Sequence, residues 1–259
     1  MLSKSTIRFI RSLKTGKIRE TSGLFVAEGT KTVLDLLASS LAIHGIYATQ
    51  DWIARYSDHL LNVADRWVTI TEKEMKAVSS LVTPQDVLAV VGIPDTRLVP
   101  SALAGELILM LDEIRDPGNL GTIIRTADWF GIRHVLCSMG CVDAYNPKVV
   151  QSSMGSIARV NVHSIVLKDF LDLHNPRLTV YGCLLDGIDI RQASLENTGI
   201  ILLGNESTGI SPELLPYVQV RLTIPSFSSH AGIPFAAPES LNAAQACSIV
   251  CFAFRNRFK

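Results

Sequence analysis

Three places in the sequence put polar side chains directly after an apolar, strand-like run. Asn119 and Arg125 follow the run ELILMLDEI, in the segment DPGNLGTIIRTA. Glu206 follows the run GIILLG, and Ser240 and Asn242 come after the run VRLTIP. Open parallel sheets bind ligands at the carboxyl ends of their strands. The sequence therefore predicts that these junctions contribute to one polar site.

The residue types at these junctions suit the binding of a polar or anionic ligand. Arginine presents a planar set of donors that fits a phosphate, and a carboxylate beside a buried strand end needs hydrogen-bond partners. Asn119, after the turn Pro117-Gly118, is a candidate helix N-cap. Taken singly, the junctions also fit a surface charge, a polar loop cap and an ordinary N-cap. Neither GxGxxG nor GxxxxGK[ST] occurs in the chain, which disfavours another kind of nucleotide-binding α/β enzyme.

The elements that must position these residues form an α/β sheet in the C-terminal part. Its apolar runs show no alternation, which is typical of parallel strands covered on both faces. The predicted strands are ELILMLDEI, HVLCS, LTVYGCLL, GIILLG and VQVRLTI. Helices are predicted between them at 119–130, around 146–154, at 167–173 and at 211–216, with a long final helix that begins at Glu239.

The N-terminal part predicts a separate, smaller α/β sandwich. Between residues 24 and 93 strand-like and helix-like segments alternate, and Thr71 with Glu74 forms a capping box. The Pro-containing stretch PDTRLVPSALAG has no periodicity and reads as a linker. We therefore predict a domain over 1–94, a linker over 95–105 and a second domain over 106–259.

Composition limits the class of protein. The chain is 47% hydrophobic and 19% charged with zero formal net charge, so no global field attracts a polyanion. Apolar runs are shorter than the roughly 18 residues of a membrane span, and the basic N-terminus does not resemble a secretory signal. We expect a cytoplasmic protein without membrane contact. The five cysteines favour buried thiols over a metal or redox site, so no metal is expected.

Basic residues are concentrated at the N-terminus. Lys4, Arg8, Arg11 and Lys14 fall on one face of a predicted helix. They read either as a solvated helix face or as a stripe that contacts phosphates. The second reading would make binding depend on salt.

The three junctions also carry a family resemblance. NLGTIIRTA, LLGNESTG and IP…SLNAAQA, in this order, resemble the three motifs of the SpoU (TrmH-type) branch of the SPOUT methyltransferases. The intermediate segment NPKVVQSSMGSIARV is similar to the family's lysine-containing stretch. LFVAEGTKTVLDLL resembles the L30e-like substrate-binding domain that often precedes the catalytic domain.

The resemblance implies a fold and an activity. The C-terminal domain would be a parallel sheet tied in a trefoil knot that holds S-adenosylmethionine, in a homodimer whose active site is completed across the interface. The implied reaction is methyl transfer to a ribose 2′-hydroxyl, most simply of 23S-type ribosomal RNA, because a fused L30e-like domain is more typical of those enzymes. A tRNA substrate or a catalytically inactive RNA-binding relative remain as alternatives.

The resemblance also implies residue roles. Arg125 would be the catalytic residue, either as base or as the group that binds the phosphate and the forming alkoxide; arginine keeps its proton in proteins, which favours the second role. The remaining implied catalytic residues are Asn119, Glu206, Ser240 and Asn242, the cofactor-binding residues are Leu203, Gly204, Ile224 and Leu241, and the RNA-binding residues are Lys4, Arg8, Arg11, Lys14, Lys31 and Lys148. Two departures from the family pattern are Ser207, where a second glycine is usual, and a long loop over 225–239.

Overall fold

The computed structural model describes residues 2–95, 97–98, 103–174, 178–227 and 240–256. Contacts divide the chain into two compact units. The first combines Met1–Asp95 with Asp143–Arg159, and the second combines Thr96–Val142 with Val160–Lys259. The segment 143–159 therefore packs with the N-terminal part although it follows two strands of the second unit. The predicted boundaries at 94 and 106, which follow the order of the chain, stay predictions.

The first unit is built on a four-stranded mixed sheet. Its strands are β1 (Leu24–Glu28), β2 (Ile43–Ala48), β3 (Trp67–Thr69) and β4 (Val87–Gly92). The order is β1-β4-β2-β3, in which β4 is antiparallel to both neighbours and β2 is parallel to β3. Its helices are α1 (Lys4–Ser12), α2 (Gly16–Ser22), α3 (Thr30–Leu37), α4 (Gln50–Tyr56), α5 (Glu72–Val78) and, from later in the chain, α7 (Pro147–Ser152).

One helix of this unit departs from the sequence pattern and another agrees with it. The segment DWIARYSDHLLN has a helix-like pattern, but α4 ends at Tyr56 and a 3-10 segment, Ser57–Arg66, follows it. Ser57 and Asp58 favour caps and turns over helix interiors, which accounts for the break. The capping box at α5 is confirmed, since Thr71 accepts from the Glu74 amide and the Glu74 carboxylate accepts from the Thr71 amide.

The N-terminal basic segment is not one continuous helix. Ser3 caps α1, which ends at Ser12, so Lys14 lies in the turn before α2. Arg19 is only 3% exposed. Its guanidinium donates to the carbonyl oxygens of Leu13 and Lys14 at 2.8 Å each and pairs with Asp143. Arg19 therefore closes the turn between α1 and α2 and does not belong to the exposed basic stripe.

The second unit contains a six-stranded sheet that is parallel throughout, as the sequence predicts. The order is β10-β8-β9-β5-β6-β7, and β5 and β9 at its centre are fully buried. The short strand β7 was missed because its two buried residues, Val162 and His163, lie between two exposed ones and form no apolar run. The strands are β5 (Leu107–Leu111), β6 (His134–Cys137), β7 (Asn161–Ser164), β8 (Val180–Asp189), β9 (Gly199–Leu203) and β10 (Val220–Thr223).

The helices of the second unit are α6 (Pro117–Trp129), α8 (Leu167–His174) and α9 (Ala243–Asn256). The helix predicted over 211–216 is wrong, because a 3-10 turn at Leu215–Tyr217 is what forms there. Pro216 accounts for this, since proline interrupts a helix. The C-terminal end of α6 packs along α9, where the Thr126 and Ser248 hydroxyls are 3.2 Å apart and Arg255 donates to the Phe130 carbonyl at 2.9 Å.

In the described part of the chain, no helix combines the length and the apolar character that crossing a membrane requires.

Candidate active site

The site begins at the first turn of α6. Asp116, with extended backbone angles, caps this helix by accepting from the Asn119 amide at 2.8 Å. Pro117 occupies the first helical position, where a missing N–H costs nothing. The prediction that Asn119 is the N-cap is therefore wrong by one turn. Because Asp116 does the capping, the Asn119 side chain is available for contacts outside its own helix.

The three junctions meet around the carboxylate of Glu206. Asn119 Nδ2 donates to Glu206 Oε1 at 2.5 Å, and the Ala243 amide donates to the same oxygen at 3.4 Å. Asn242 Nδ2 donates to Asn119 Oδ1 at 2.8 Å. One hydrogen-bonded network thus joins the start of α6, the loop after β9 and the start of α9. Such a network fixes the side chains of all three junctions relative to one another.

The cap of α9 explains how Asn242 reaches this network. Asn242 Oδ1 accepts from the amides of Ala244 at 3.0 Å and Gln245 at 3.3 Å, which is N-cap geometry. Its oxygen is thus used on its own helix, while its nitrogen bonds Asn119. Ser240 donates from its hydroxyl to the Glu206 carbonyl at 3.3 Å.

The loop after β9 closes tightly on itself. Asn205 and Gly209 exchange backbone hydrogen bonds of 2.9 and 3.0 Å. A Cβ on Gly204 would lie 2.3 Å from the Gly209 carbonyl carbon. A glycine at a strand end can admit a ligand close to the backbone. In the structure, the closest neighbour is the protein's own backbone, so Gly204 is required for the loop to form.

Asn205 is a site residue that sequence reasoning missed. Its Nδ2 donates to the Glu113 carbonyl at 2.9 Å, and its Oδ1 accepts from the Ser207 amide at 2.9 Å. It thereby ties the loop after β9 to the end of β5. Glu113 has a φ of 55°, a conformation that few non-glycine residues adopt. The position of Asn205, directly after a buried strand and a glycine, is the sequence feature that could have indicated it.

A cavity of about 390 Å³ opens beside this network. All four residues predicted to bind the cofactor line it, together with Glu206 and Ser240. Cys183, Leu222 and Val250 supply apolar wall, and burial raises the pKa of the Cys183 thiol to about 12. The volume falls within the usual range for small-molecule sites, whose walls are mostly apolar with a few placed polar groups. The predicted cofactor residues are Leu203, Gly204, Ile224 and Leu241.

Arg125 lies apart from this network. It is six residues beyond Asn119 on α6, about 9 Å along the helix axis. Its side chain is exposed, and it has no hydrogen bond or ion pair with any residue that the structure describes. The structure therefore brings four of the five predicted catalytic residues into one network and leaves the arginine pointing to no described partner. An unpaired guanidinium of this kind is available to a ligand or to another chain.

The residues predicted to bind RNA all lie in the first unit. Lys4, Arg8 and Arg11 are exposed along α1, and Lys148 is exposed on α7. Lys31 donates to Asp35 at 3.0 Å and to the Met154 carbonyl at 3.2 Å, so its charge is partly used within the unit. Lys14 Nζ lies 3.4 Å from the Ser79 carbonyl. Their role in RNA binding stays a prediction.

The cysteines are reduced and mostly buried. The thiols of Cys247 and Cys251 are 3.8 Å apart inside the second unit. A hydrogen bond with Cys137 is the main cause that lowers the pKa of the Cys141 thiol to about 7. Among the residues that the structure describes, no group of three or more His, Cys, Asp and Glu side chains could hold a metal ion.

Comparison with known proteins adds independent findings. The SpoU rRNA Methylase family matches residues 106–252, and the MRM3-like substrate binding domain matches residues 4–89. The chain is 30% identical over 247 residues to the 23S rRNA (guanosine(2553)-2'-O)-methyltransferase RlmP of Bacillus subtilis. That alignment covers 95% of this chain and 94% of RlmP.

Two solved structures resemble the whole chain. A TrmH-family protein from Porphyromonas gingivalis superposes with a TM-score of 0.85 at 38% identity, covering 99% of both chains. An rRNA methyltransferase from Sinorhizobium meliloti with bound AdoMet superposes with a TM-score of 0.84 at 26% identity, covering 100% of this chain and 97% of the other. The similarity therefore extends over both units.

Proposed function

Because the chain belongs to the SpoU rRNA methylase family, we propose that it transfers the methyl group of S-adenosylmethionine to a ribose 2′-hydroxyl of ribosomal RNA. The observation that carries this proposal is the meeting of three distant junctions around Glu206, beside a cavity lined by the predicted cofactor residues. The similarity to RlmP, which acts on a guanosine 2′-oxygen of 23S rRNA, favours an rRNA substrate.

The cavity fits S-adenosylmethionine in size and in the type of its lining. Apolar side chains such as Leu203, Ile224 and Leu241 offer a slot for an adenine ring, and the ends of β9 and β10 offer backbone polar groups for its edges. When bound, the cofactor supplies an electrophilic methyl group on a sulfonium. We assign Leu203, Gly204, Ile224 and Leu241 to its binding. The part of the long loop over 228–239 lies outside the described residues.

The chain's own residues would act by positioning and by electrostatics. Methyl transfer forms an oxygen–carbon bond as a carbon–sulfur bond breaks, and the 2′-hydroxyl loses its proton. The network of Asn119, Glu206 and Asn242 would fix the surface against which the ribose binds. Correct orientation of the reacting groups alone can lower the activation barrier by several kcal/mol. Arg125, protonated, would bind the adjacent phosphate and stabilise the negative charge that develops on the 2′-oxygen.

The substitution Arg125→Lys tests this role. Lysine keeps the charge but lacks the planar fork, so we expect kcat to fall by about tenfold or more, with an unchanged affinity for S-adenosylmethionine. Methyl transfer to rRNA from cells that lack the protein is the measurement. Arg133→Lys, at an exposed arginine paired with Glu106, is the matched control and should retain full activity. Wild-type activity in Arg125→Lys would contradict the proposed role of Arg125 in binding the phosphate and the 2′-oxygen.

Two alternative functions are separated by simple measurements. An inactive RNA-binding relative would show no heat when titrated with S-adenosylmethionine; Ser207, in place of a glycine, is the departure that raises this alternative. A tRNA enzyme would leave rRNA unchanged, so mass mapping of rRNA and tRNA from a deletion strain identifies the substrate and the nucleotide.

We further propose that the protein is a cytoplasmic homodimer with a C-terminal trefoil knot. Ribosomal RNA as the substrate supports the location. In support of a knot, β10 pairs with β8 and not with β9, so the chain after β9 crosses over β8 to reach the edge of the sheet. In support of a dimer, Trp129 is 84% exposed and Phe252 is 58% exposed where α6 packs along α9.

A further inference from the structure

The loop after β9, which carries Glu206, is attached at both of its ends to the segment that follows β5. Near the start of the loop, Asn205 Nδ2 donates to the Glu113 carbonyl at 2.9 Å. At its end, the Ser211 amide donates to Asp112 Oδ2 at 2.7 Å. Two consecutive residues after β5 therefore hold the whole loop.

Asp112 supplies the buried attachment. Only 3% of it is exposed, and it is the only buried acid among the residues that the structure describes. A carboxyl group loses its hydration on burial, which is unfavourable unless hydrogen bonds replace the water. The Ser211 amide supplies such a bond, and the Asp112 amide donates to the Leu203 carbonyl at 2.8 Å. The side chain therefore has a specific partner, which an apolar residue at this position would leave without an acceptor.

The segment after β5 is held on its other side by the turn after β6. The Glu113 amide donates to Ser138 Oγ at 2.9 Å, and the Ile114 amide donates to Cys141 Sγ at 3.3 Å. Because β5 lies between β9 and β6 in the sheet, the segment has hydrogen bonds on both sides. These bonds fix Glu113 at its φ of 55°. The segment is therefore a rigid support for the loop after β9.

The same segment leads into α6. Asp116 caps this helix, and Asn119 lies in its first turn. One short piece of chain, residues 112–116, thus places Asn119 through the backbone and the Glu206 loop through hydrogen bonds. Asn119 Nδ2 and Glu206 Oε1 bond each other, so the two must be placed consistently. Movement of the loop at Ser211 would shift Glu206 relative to Asn119 and to the cavity beside it.

We propose that Asp112 is a positioning residue for methyl transfer: through the Ser211 amide it holds the loop after β9 where Glu206 meets Asn119 and where the loop lines the cofactor cavity. Asp112 lies outside the cavity lining, so it acts through the loop and not by contact with the cofactor. The proposal rests on the proposed function for the reaction, whereas its effect on cofactor binding is measurable without RNA.

Calorimetric titration with S-adenosylmethionine and methyl transfer to rRNA test the proposal on Asp112→Ala and Asp112→Asn. Alanine removes the acceptor, so we expect the Kd for S-adenosylmethionine to rise roughly threefold to tenfold and kcat to fall roughly tenfold. Asparagine keeps an acceptor oxygen, so both values should return to within about twofold of the wild type. Hydrogen–deuterium exchange in the segment 204–212 should rise in Asp112→Ala and stay low in Asp112→Asn.

Glu74→Ala is the matched control for a loss of stability alone. The Glu74 carboxylate accepts from the Thr71 amide at 2.9 Å and from the Leu2 amide at 2.6 Å in the first unit, so this variant also removes an acceptor of backbone amides. It should lower the unfolding temperature and leave Kd, kcat and exchange in 204–212 unchanged. Wild-type values in Asp112→Ala, equal losses in Glu74→Ala, or no recovery in Asp112→Asn would overturn the proposal.

Asn205→Ala is the second variant should Asp112→Ala fail to fold, because it removes the other attachment of the same loop. It should also raise the Kd for S-adenosylmethionine, and a wild-type Kd would contradict the proposal. A wild-type protein that binds S-adenosylmethionine and methylates no RNA would refute the proposed function alone, since the Kd values of the variants still test Asp112.

Discussion

At the scale of single residues, Glu206 is the acid on which the site depends. Its carboxylate accepts from Asn119 and from the Ala243 amide, and its carbonyl accepts from Ser240. Asn119 in turn accepts from Asn242. The hydrogen bonds of both asparagines are therefore fixed by their neighbours, and the network ends at a carboxylate oxygen of Glu206.

The substitution Glu206→Gln removes the charge and leaves a neutral amide oxygen to accept from Asn119 and from the Ala243 amide. We expect a loss of about 1 kcal/mol in the free energy of unfolding and a fall of about tenfold in kcat/KM, because hydrogen bonds to a charged acceptor are about twice as strong as those to a neutral one. Urea unfolding and methyl transfer measure the two effects.

Glu213→Gln is the control for that substitution. Glu213 is exposed and has no side-chain hydrogen bond or ion pair with any residue that the structure describes, so both quantities should match the wild type. If Glu206→Gln behaves like Glu213→Gln, the network is not what holds the three junctions together.

At the scale of elements, local capping decides which side chains reach the site. Asp116 caps α6 and Asn242 caps α9, so the side chains that remain, Asn119 and the nitrogen of Asn242, face each other. The loop after β9 is likewise shaped by local contacts, since its hairpin-like closure leaves no room at Gly204 for a side chain.

The substitution Gly204→Ala tests the requirement at that loop. Its methyl group would meet the Gly209 backbone, so either the loop or the end of β9 must move, which we expect to cost about 1–3 kcal/mol of unfolding free energy. Affinity for S-adenosylmethionine should fall as well, because Gly204 lines the cavity. Calorimetric titration and urea unfolding provide both readings.

Gly16→Ala serves as the comparison, since a Cβ there would have its nearest contact at 3.6 Å and the residue lies in the first turn of α2. Its unfolding free energy should stay close to that of the wild type. A Gly204→Ala variant as stable as Gly16→Ala would show that the loop adjusts without cost.

At the scale of the whole molecule, the unpaired arginine and the exposed apolar residues fall on one face. Arg125 and Trp129 are four residues apart on α6 and therefore lie on the same side of the helix. Ile249 and Phe252 extend the apolar surface on α9, at 41% and 58% exposure. Large exposed apolar patches mark interaction sites. A second copy packed on this face would lie next to Arg125, which agrees with the proposed completion of the site in a dimer.

We expect the wild type to be a dimer by light scattering, and the double substitution Trp129→Glu with Phe252→Glu to be a monomer. Charges in a desolvated apolar interface are costly when unpaired, so the dimer should be lost along with methyl transfer. Leu173→Glu, at a leucine that is 73% exposed on α8, is the control and should stay dimeric and active. A wild type that is active as a monomer contradicts the proposal.

The sequence by itself determined what depends on local order. Continuous apolar runs predicted the parallel sheet, the capping box at Thr71 was correct, and the three junction motifs indicated the family. Each of these signals consists of residues that are close together in the sequence. Tertiary structure decided the rest. Asn119 was predicted to cap α6, but Asp116 does so, and Asn119 instead bonds Glu206 and Asn242. Asn205, Arg19 and the placement of 143–159 likewise depend on partners far away in the chain. Contacts between distant segments depend on packing and on competition among possible partners. A local sequence pattern does not indicate which of these partners a side chain will contact.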